Sequence, residues 1–207
     1  MSSDERISGE RSSGQGSGNP TVDTSDATTP KSLPTEAAAK IVSEFRDLVA
    51  KCHRLAYAVP GEHAWPEIAH APFVTHAVAG EEGFFVLGST LSRGSRCLLS
   101  AAGAPAPRTT VLLVADAADS VVEEPFARTR AQLVVRVEAV SRDNPLWSEV
   151  VTKLASRFGE TARLLEQLAD FHVMGLFPSE GLFIKGFGKA FSLSGKNLKN
   201  VAHLRQS

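Results

Sequence analysis

Cysteine is nearly missing from this chain of 207 residues: Cys52 and Cys97 are the only two, and no CxxC spacing relates them. That argues against a disulfide framework or a cysteine-built zinc site, and a reducing compartment is expected. No run of about 18 apolar residues occurs, so no helix is expected to span a membrane. The N-terminus lacks the apolar stretch of a secretory signal, and the cytoplasm is the expected location. Net charge is close to zero, at −1, which speaks against a general nucleic-acid binder. Signatures of catalysis are missing as well. No GxSxG nucleophile elbow is present, "GFGKAF" lacks the spacing of a dinucleotide loop, and the six histidines form no HxH or HxxxH pair.

What is present describes a globular domain, with 43% hydrophobic and 22% charged residues. Residues 1–34 are mostly Ser, Thr, Gly and Pro with hardly a large apolar side chain. They cannot bury enough surface to offset their ordering entropy, and a disordered arm is expected. The structured domain is expected over 35–195, followed by a basic tail over 196–207. Residues 185–207 hold Lys185, Lys189, Lys196, Lys199 and Arg205 with no acid. Such a tail suits phosphate, carboxylate or an acidic partner surface, or is a solvated terminus.

Ile41, Phe45, Leu48 and Cys52 recur at helical spacing from Thr35 onward. "RLAYAV" reads as a strand, and "PFVTHAVAG" with "FFVLGS" as a hairpin turning at Glu81-Glu82-Gly83. "TLSRGSRCLLSAAG" is less regular and admits a short helix. "TTVLLVADA" and "RAQLVVRVEAVS" read as buried strands. "DNPLWSEVVTKLASRFG" carries a full set of helix signals, with Asn144 or Asp143 to cap, Pro145 first and Gly159 as the stop. "ETARLLEQLADF" reads as a second helix with Leu164, Leu165 and Leu168 inward. A final hairpin is expected around Ser179-Glu180-Gly181. Together these elements predict a mostly antiparallel α+β barrel or sheet.

Four segments resemble the pyridoxamine-phosphate-oxidase-like, FMN-binding split β-barrels, and within them the HugZ-type haem-utilisation branch. They are the first helix running into "LAYAV", then "GFFVLGSTLSRGSRCLLSAAG", "ARTRAQLVVRVEAV" and "DFHVMGLFPSEGLFIKGFGKAFSL". The resemblance covers about residues 37–195. It implies a split barrel with an N-terminal helix and a helical pair before the final hairpin. It also implies a homodimer with ligand pockets at the interface. In the superfamily the ligand is commonly FMN; in the HugZ-like branch it is haem, held by a C-terminal histidine and helped by a barrel arginine. Some relatives open the haem ring oxidatively, and others only bind haem or regulate its synthesis. The chain departs from the branch at Gly94 and Ser95, where His-Thr is usual. An FMN-binding oxidoreductase of this fold and a non-enzymatic regulatory or interaction module stay open as alternatives. No nucleic-acid or membrane partner is expected.

The resemblance also assigns residues. His203 is the candidate donor to haem iron, for which a neutral imidazole is the usual ligand. Arg130, with Arg128 beside it, matches the strand arginine, suited to a propionate by its planar fork. Arg93 and Arg96 stand where flavin-binding relatives hold the phosphate. "GLFIKGFGKAF" is expected to be the last barrel strand. Read with a period of two, it places Lys185 on one face. The other face, with Gly186, Gly188, Ala190 and Ser192, would be a smooth strip for a flat ring, or a close-packing surface for another element.

Overall fold

The computed structural model describes residues 31–61, 65–105, 109–114, 128–186 and 188–204. The expected arm up to residue 30, His63, Phe187 and Arg205 lie outside the described residues. Lys31–Ser32 form a short strand, β1, and Thr35–Lys51 form α1. Ile41, Phe45 and Leu48 make the buried stripe of α1, with Glu36 in its first turn and Lys51 in its last, as the helix dipole favours. Arg54–Pro60 is β2. Pro66–Val78 (β3) and Glu81–Ser89 (β4) make the expected hairpin, but its turn is Ala79-Gly80. Both residues have positive φ, the two-residue geometry whose twist matches the flanking strands. The acids expected in the turn instead join β4, where Arg136 pairs with Glu81 and Arg46 with Glu82, each at 3.3 Å.

The remaining elements are α2 (Arg93–Ser100), β5 (Thr109–Val114), β6 (Arg130–Val140), α3 (Pro145–Phe158), α4 (Thr161–Leu165), β7 (Phe171–Ile184), β8 (Ala190–Ser194) and β9 (Asn200–Leu204). Strands β4, β3, β2, β5 and β6 follow one another as antiparallel neighbours, and β7 pairs with both β4 and β6. A six-stranded barrel is thereby closed, with no free edge. Along one edge of β7 runs β6. The other edge takes β4 through residues 171–176 and β8 through 180–184. One long strand thus serves the barrel with its first half and a flange of β8, β9 and β1 with its second. No described helix is long and apolar enough to cross a membrane.

Three expectations at the C-terminal end change. There is no hairpin turn at Ser179-Glu180-Gly181; β7 runs straight through it. Opposite Val134 and Val135 stand Glu180 and Pro178, so Ser179 is the extra residue of a β-bulge, and its hydroxyl donates to Val134 O. Gly181 is required next to it, because a Cβ there would lie 2.4 Å from Gln132 O. The real turn is residues 185–189, closed by Lys185 N–H donating to Lys189 O. Gly186 (φ 116°) and Gly188 (φ 67°) supply the left-handed backbone of that turn and are not part of a strand. Finally, Asn200–Leu204, inside the expected tail, pair with β8, and β1, inside the expected arm, pairs with β9.

The barrel interior is filled by Leu55, Phe73, Val111, Leu133, Leu176 and their neighbours, each essentially without solvent contact. A second cluster lies outside the barrel wall, where Trp147, Val150, Val151 and Leu154 of α3 cover Val74, Phe85, Val173 and Phe177. Asn144 caps α3 by accepting from Leu146 N–H at 3.0 Å, and Gly159 ends it. The second helix is shorter than expected, and Leu164 and Leu168 point to solvent. The reason is Arg142, whose guanidinium collects the carbonyls of Glu166, Leu168 and Phe171 at 2.6–2.9 Å. Carbonyls turned toward one cation cannot also continue a helical ladder.

Candidate functional site

Sheet register brings most of the candidate residues to one end of the molecule. Arg130 stands opposite Ile184, Ile184 opposite Ala190, and Ala190 opposite Leu204. The next row is Ala131, Phe183, Phe191 and His203. Because successive side chains alternate faces, the two rows look in opposite directions. The second row faces α1, whose Phe45 ring meets Phe183 edge-on at 5.9 Å. His203 lies edge-on to Phe191 at 5.1 Å. Its Nδ1 is buried, and neither ring nitrogen has a hydrogen-bond partner among the described residues.

The first row looks away from α1. Together with Leu182, Ser192 and Ala202 it forms a flat, half-open face of small and apolar side chains. The strip expected along a single strand is not formed, because Gly186 and Gly188 lie in the turn; Ala190 and Ser192 instead join this face, which is assembled across strands. Arg130 borders this face, and its Nη1 donates to Arg128 O at 3.3 Å. Arg128 Nε is buried without a partner among the described residues. Lys185 is held by Glu44 of α1 in an ion pair. A planar group touched by both Arg130 and His203 must stand at the edge of the flange, or take one of the two from a second copy. No group of three or more His, Cys, Asp or Glu side chains gathers to hold a metal among the described residues.

Arg93 and Arg96 are not part of this end. They belong to α2, which follows Ser89, and Ser89 pairs with Phe171 at the start of β7, whereas Arg130 pairs with Ile184 at its end. Arg93 is ion-paired with Glu67 at 2.6 Å, and Arg96 Nη1 donates to Thr90 O at 2.8 Å. Helix α2 packs on the barrel through its small residues: a Cβ on Gly94 would come within 2.6 Å of Ala69 Cβ, and one on Gly88 within 2.6 Å of Ser95 Oγ. Tyr57 lies under the same turn, its phenol pushed above the usual 10.0 by burial, against the lowering effect of a Ser95 hydrogen bond.

No protein-family model matches the chain. A curated relative does: HutZ of Vibrio cholerae, a haem oxygenase by name, is 32% identical over 167 residues, 81% of this chain and 89% of HutZ. The chain belongs to the HugZ-type branch of the pyridoxamine-phosphate-oxidase-like split barrels. The crystal structure of Vibrio cholerae HutZ, there called a haem storage protein, matches at a TM-score of 0.58 and 32% identity, over 70% of this chain and 95% of that one. Campylobacter jejuni ChuZ shares the fold at 17% identity, with a TM-score of 0.65 over 81% of this chain and 63% of its own. A haem binding protein from Mycobacterium smegmatis shares it at 18% identity, with a TM-score of 0.61 over 76% and 59%.

Within this family the departure at Gly94 and Ser95 acquires a physical reason. A histidine cannot occupy position 94 without moving β3 or Tyr57, since not even a Cβ fits there. Tyr57 and Glu44 are the residues that sequence reasoning missed. Tyr57 left a signal, standing where the family's first strand reads Leu-Ala-Thr. Glu44 left none, because its pairing with Lys185 spans 141 residues of chain.

Proposed function

We propose that this protein binds haem, serves haem and iron utilisation, and works as a homodimer in the cytoplasm. The observation that carries the reading is the end of the flange, where an unengaged imidazole, two arginines and a flat apolar face occur together. In this reading the face of one copy receives the ring, its Arg130 and Arg128 receive the propionates, and His203, which looks to the opposite side of the flange, reaches the iron from a second copy. Bound haem supplies a redox-active iron; the chain's own part is to orient the ring and shield one side of it. The likeness to HutZ over most of both chains supports the same ligand. Two free, buried cysteines suit a reducing compartment. The flavin alternative has less support, because Arg93 and Arg96 are already engaged by protein groups.

Titrating the purified protein with hemin tests the reading. A Soret shift that saturates at one haem per chain is expected, and a featureless titration rejects it. The same protein is expected to take up no FMN.

The dimer reading rests on a sheet face that no described helix covers. Ile68, Leu112 and Leu182 are exposed on it among the described residues, Ile68 by 74%, and the register runs from His70 through Ala56, Leu112 and Gln132 to Leu182. Apolar surface of this kind is stabilised by a second copy. Light scattering is expected to give twice the chain mass, and Leu112→Asp to give the monomer. An unchanged mass in that variant rejects this face as the interface.

A further inference from the structure

A second concave site lies away from the haem end. It is a cleft of about 390 Å³ between α1, the β3–β4 hairpin, the end of α3 and the turn before β9. Its apolar wall comes from Phe45, Val49, Phe84, Pro178 and Leu198. None of Arg128, Arg130, Lys185 or His203 lines it. A cleft of this size with an apolar wall and a few polar groups has the general form of a small-molecule site.

Its charge is one-sided. Three cations border the cleft: Arg46 from α1, and Lys153 and Arg157 from α3. Glu82 is the only acid on its lining among the described residues, and it is taken by Arg46 at 3.3 Å. Lys153 Nζ donates to Thr75 O at 3.1 Å. Arg157 donates to Ala50 O at 3.1 Å and Cys52 O at 2.7 Å, closing the end of α1. Carbonyls satisfy the donors but do not neutralise the charges. No carboxylate lies within ion-pair distance of Lys153 or Arg157 among the described residues.

Lys153 and Arg157 are also one turn apart on α3, where like charges repel. Glu149, the acid one turn before Lys153, could have offset them. It is instead paired with His76 Nε2 at 3.2 Å, on the border of the same cleft. The chain therefore supplies an apolar wall and uncompensated positive charge together, and spends its nearby acid elsewhere.

We propose that this cleft binds a small organic anion: a carboxylate or sulfonate on a flat apolar body, the body against Phe45 and Phe84 and the anion between Lys153 and Arg157. An anion there satisfies two cations at once and removes their mutual repulsion, and the apolar body explains why the site is a cleft and not a surface patch. A free inorganic anion would leave the apolar wall uncovered. A neutral hydrophobe would leave the cations unpaired.

Fluorescence titration with anilinonaphthalene sulfonate tests this, with N-phenylnaphthylamine, the same body without the anion, as comparison. The full-length protein is expected to bind the sulfonate saturably, at one per chain, and to bind the neutral amine about tenfold more weakly. Lys153→Met is expected to weaken sulfonate binding by about tenfold, and Ala50→Trp, which fills the cleft from the exposed side of α1, to abolish it. Circular dichroism establishes that each variant is folded; if Ala50→Trp is not, Lys153→Met alone decides. Equal binding of the two probes overturns the proposal, as does sulfonate binding indifferent to Lys153→Met. Binding lost in Arg130→Gln but kept in Lys153→Met would place the probe at the haem end and overturn it equally.

Discussion

Phe183→Ala is expected to lower the stability of the fold by about 3–5 kcal/mol, the range for deleting a buried aromatic ring. Phe183 has no solvent exposure and sits where three parts of the structure meet. Its strand neighbours are Ala131 in β6 and Phe191 in β8, and its ring meets Phe45 of α1 edge-on. Removing it opens a void bounded by barrel, flange and helix. None of the three can move in to fill the void without breaking its own ladder or helix. With a urea dependence of about 2–3 kcal/mol per molar, the unfolding midpoint falls by on the order of 1–2 M. A shift worth less than about 1 kcal/mol would mean that the site collapses freely, and would refute the account of Phe183 as the joint of the three parts.

His203→Ala is expected to change haem binding more than any other single substitution at the flange end. If His203 reaches the iron, losing it would remove an imidazole donor while leaving the apolar face and both arginines in place. The ferric spectrum then changes, and affinity falls by about tenfold or more, as expected when a bond to a charged or metal centre is lost. Added imidazole is expected to restore the spectrum, which a merely structural role for His203 would not produce. Arg130→Gln serves as the contrast: weaker binding through the propionates, with the iron's spectrum unchanged. An unaltered spectrum in His203→Ala removes the assignment, and the donor must then be sought on another element.

The two variants separate different kinds of information. Alternation in "GLFIKGFGKAF" puts Phe183 on the face of Lys185, and only the fold shows that this face is buried against α1. His203 could be singled out only by its position in a basic C-terminal stretch and by the family resemblance. The fold shows what that stretch cannot: residues 200–204 are a strand, and His203 is on the α1 side of it, one row from Arg130 and facing the other way. The anion cleft was not legible at all. Its residues come from positions 45–50, 75–84, 153–157, 178 and 197–198, and no local pattern connects them.

What the chain determined by itself are the features set by neighbours a few residues apart. The stripe of α1, the Asn144-Pro145 start and Gly159 stop of α3, and the β-branched runs of β5 and β6 all follow from local sterics and periodicity. The tertiary structure decided everything that depends on distant partners. Ser179-Glu180-Gly181 has the composition of a turn, yet becomes a bulge because β6 pairs across it. Gly186 and Gly188 alternate like strand residues, yet form the turn because β8 folds back onto β7. Residues 166–171 have helical spacing, yet uncoil because Arg142 holds their carbonyls. In each case a long-range hydrogen-bond ladder, or a single cation that collects several carbonyls, outweighs a local preference worth about 1 kcal/mol or less.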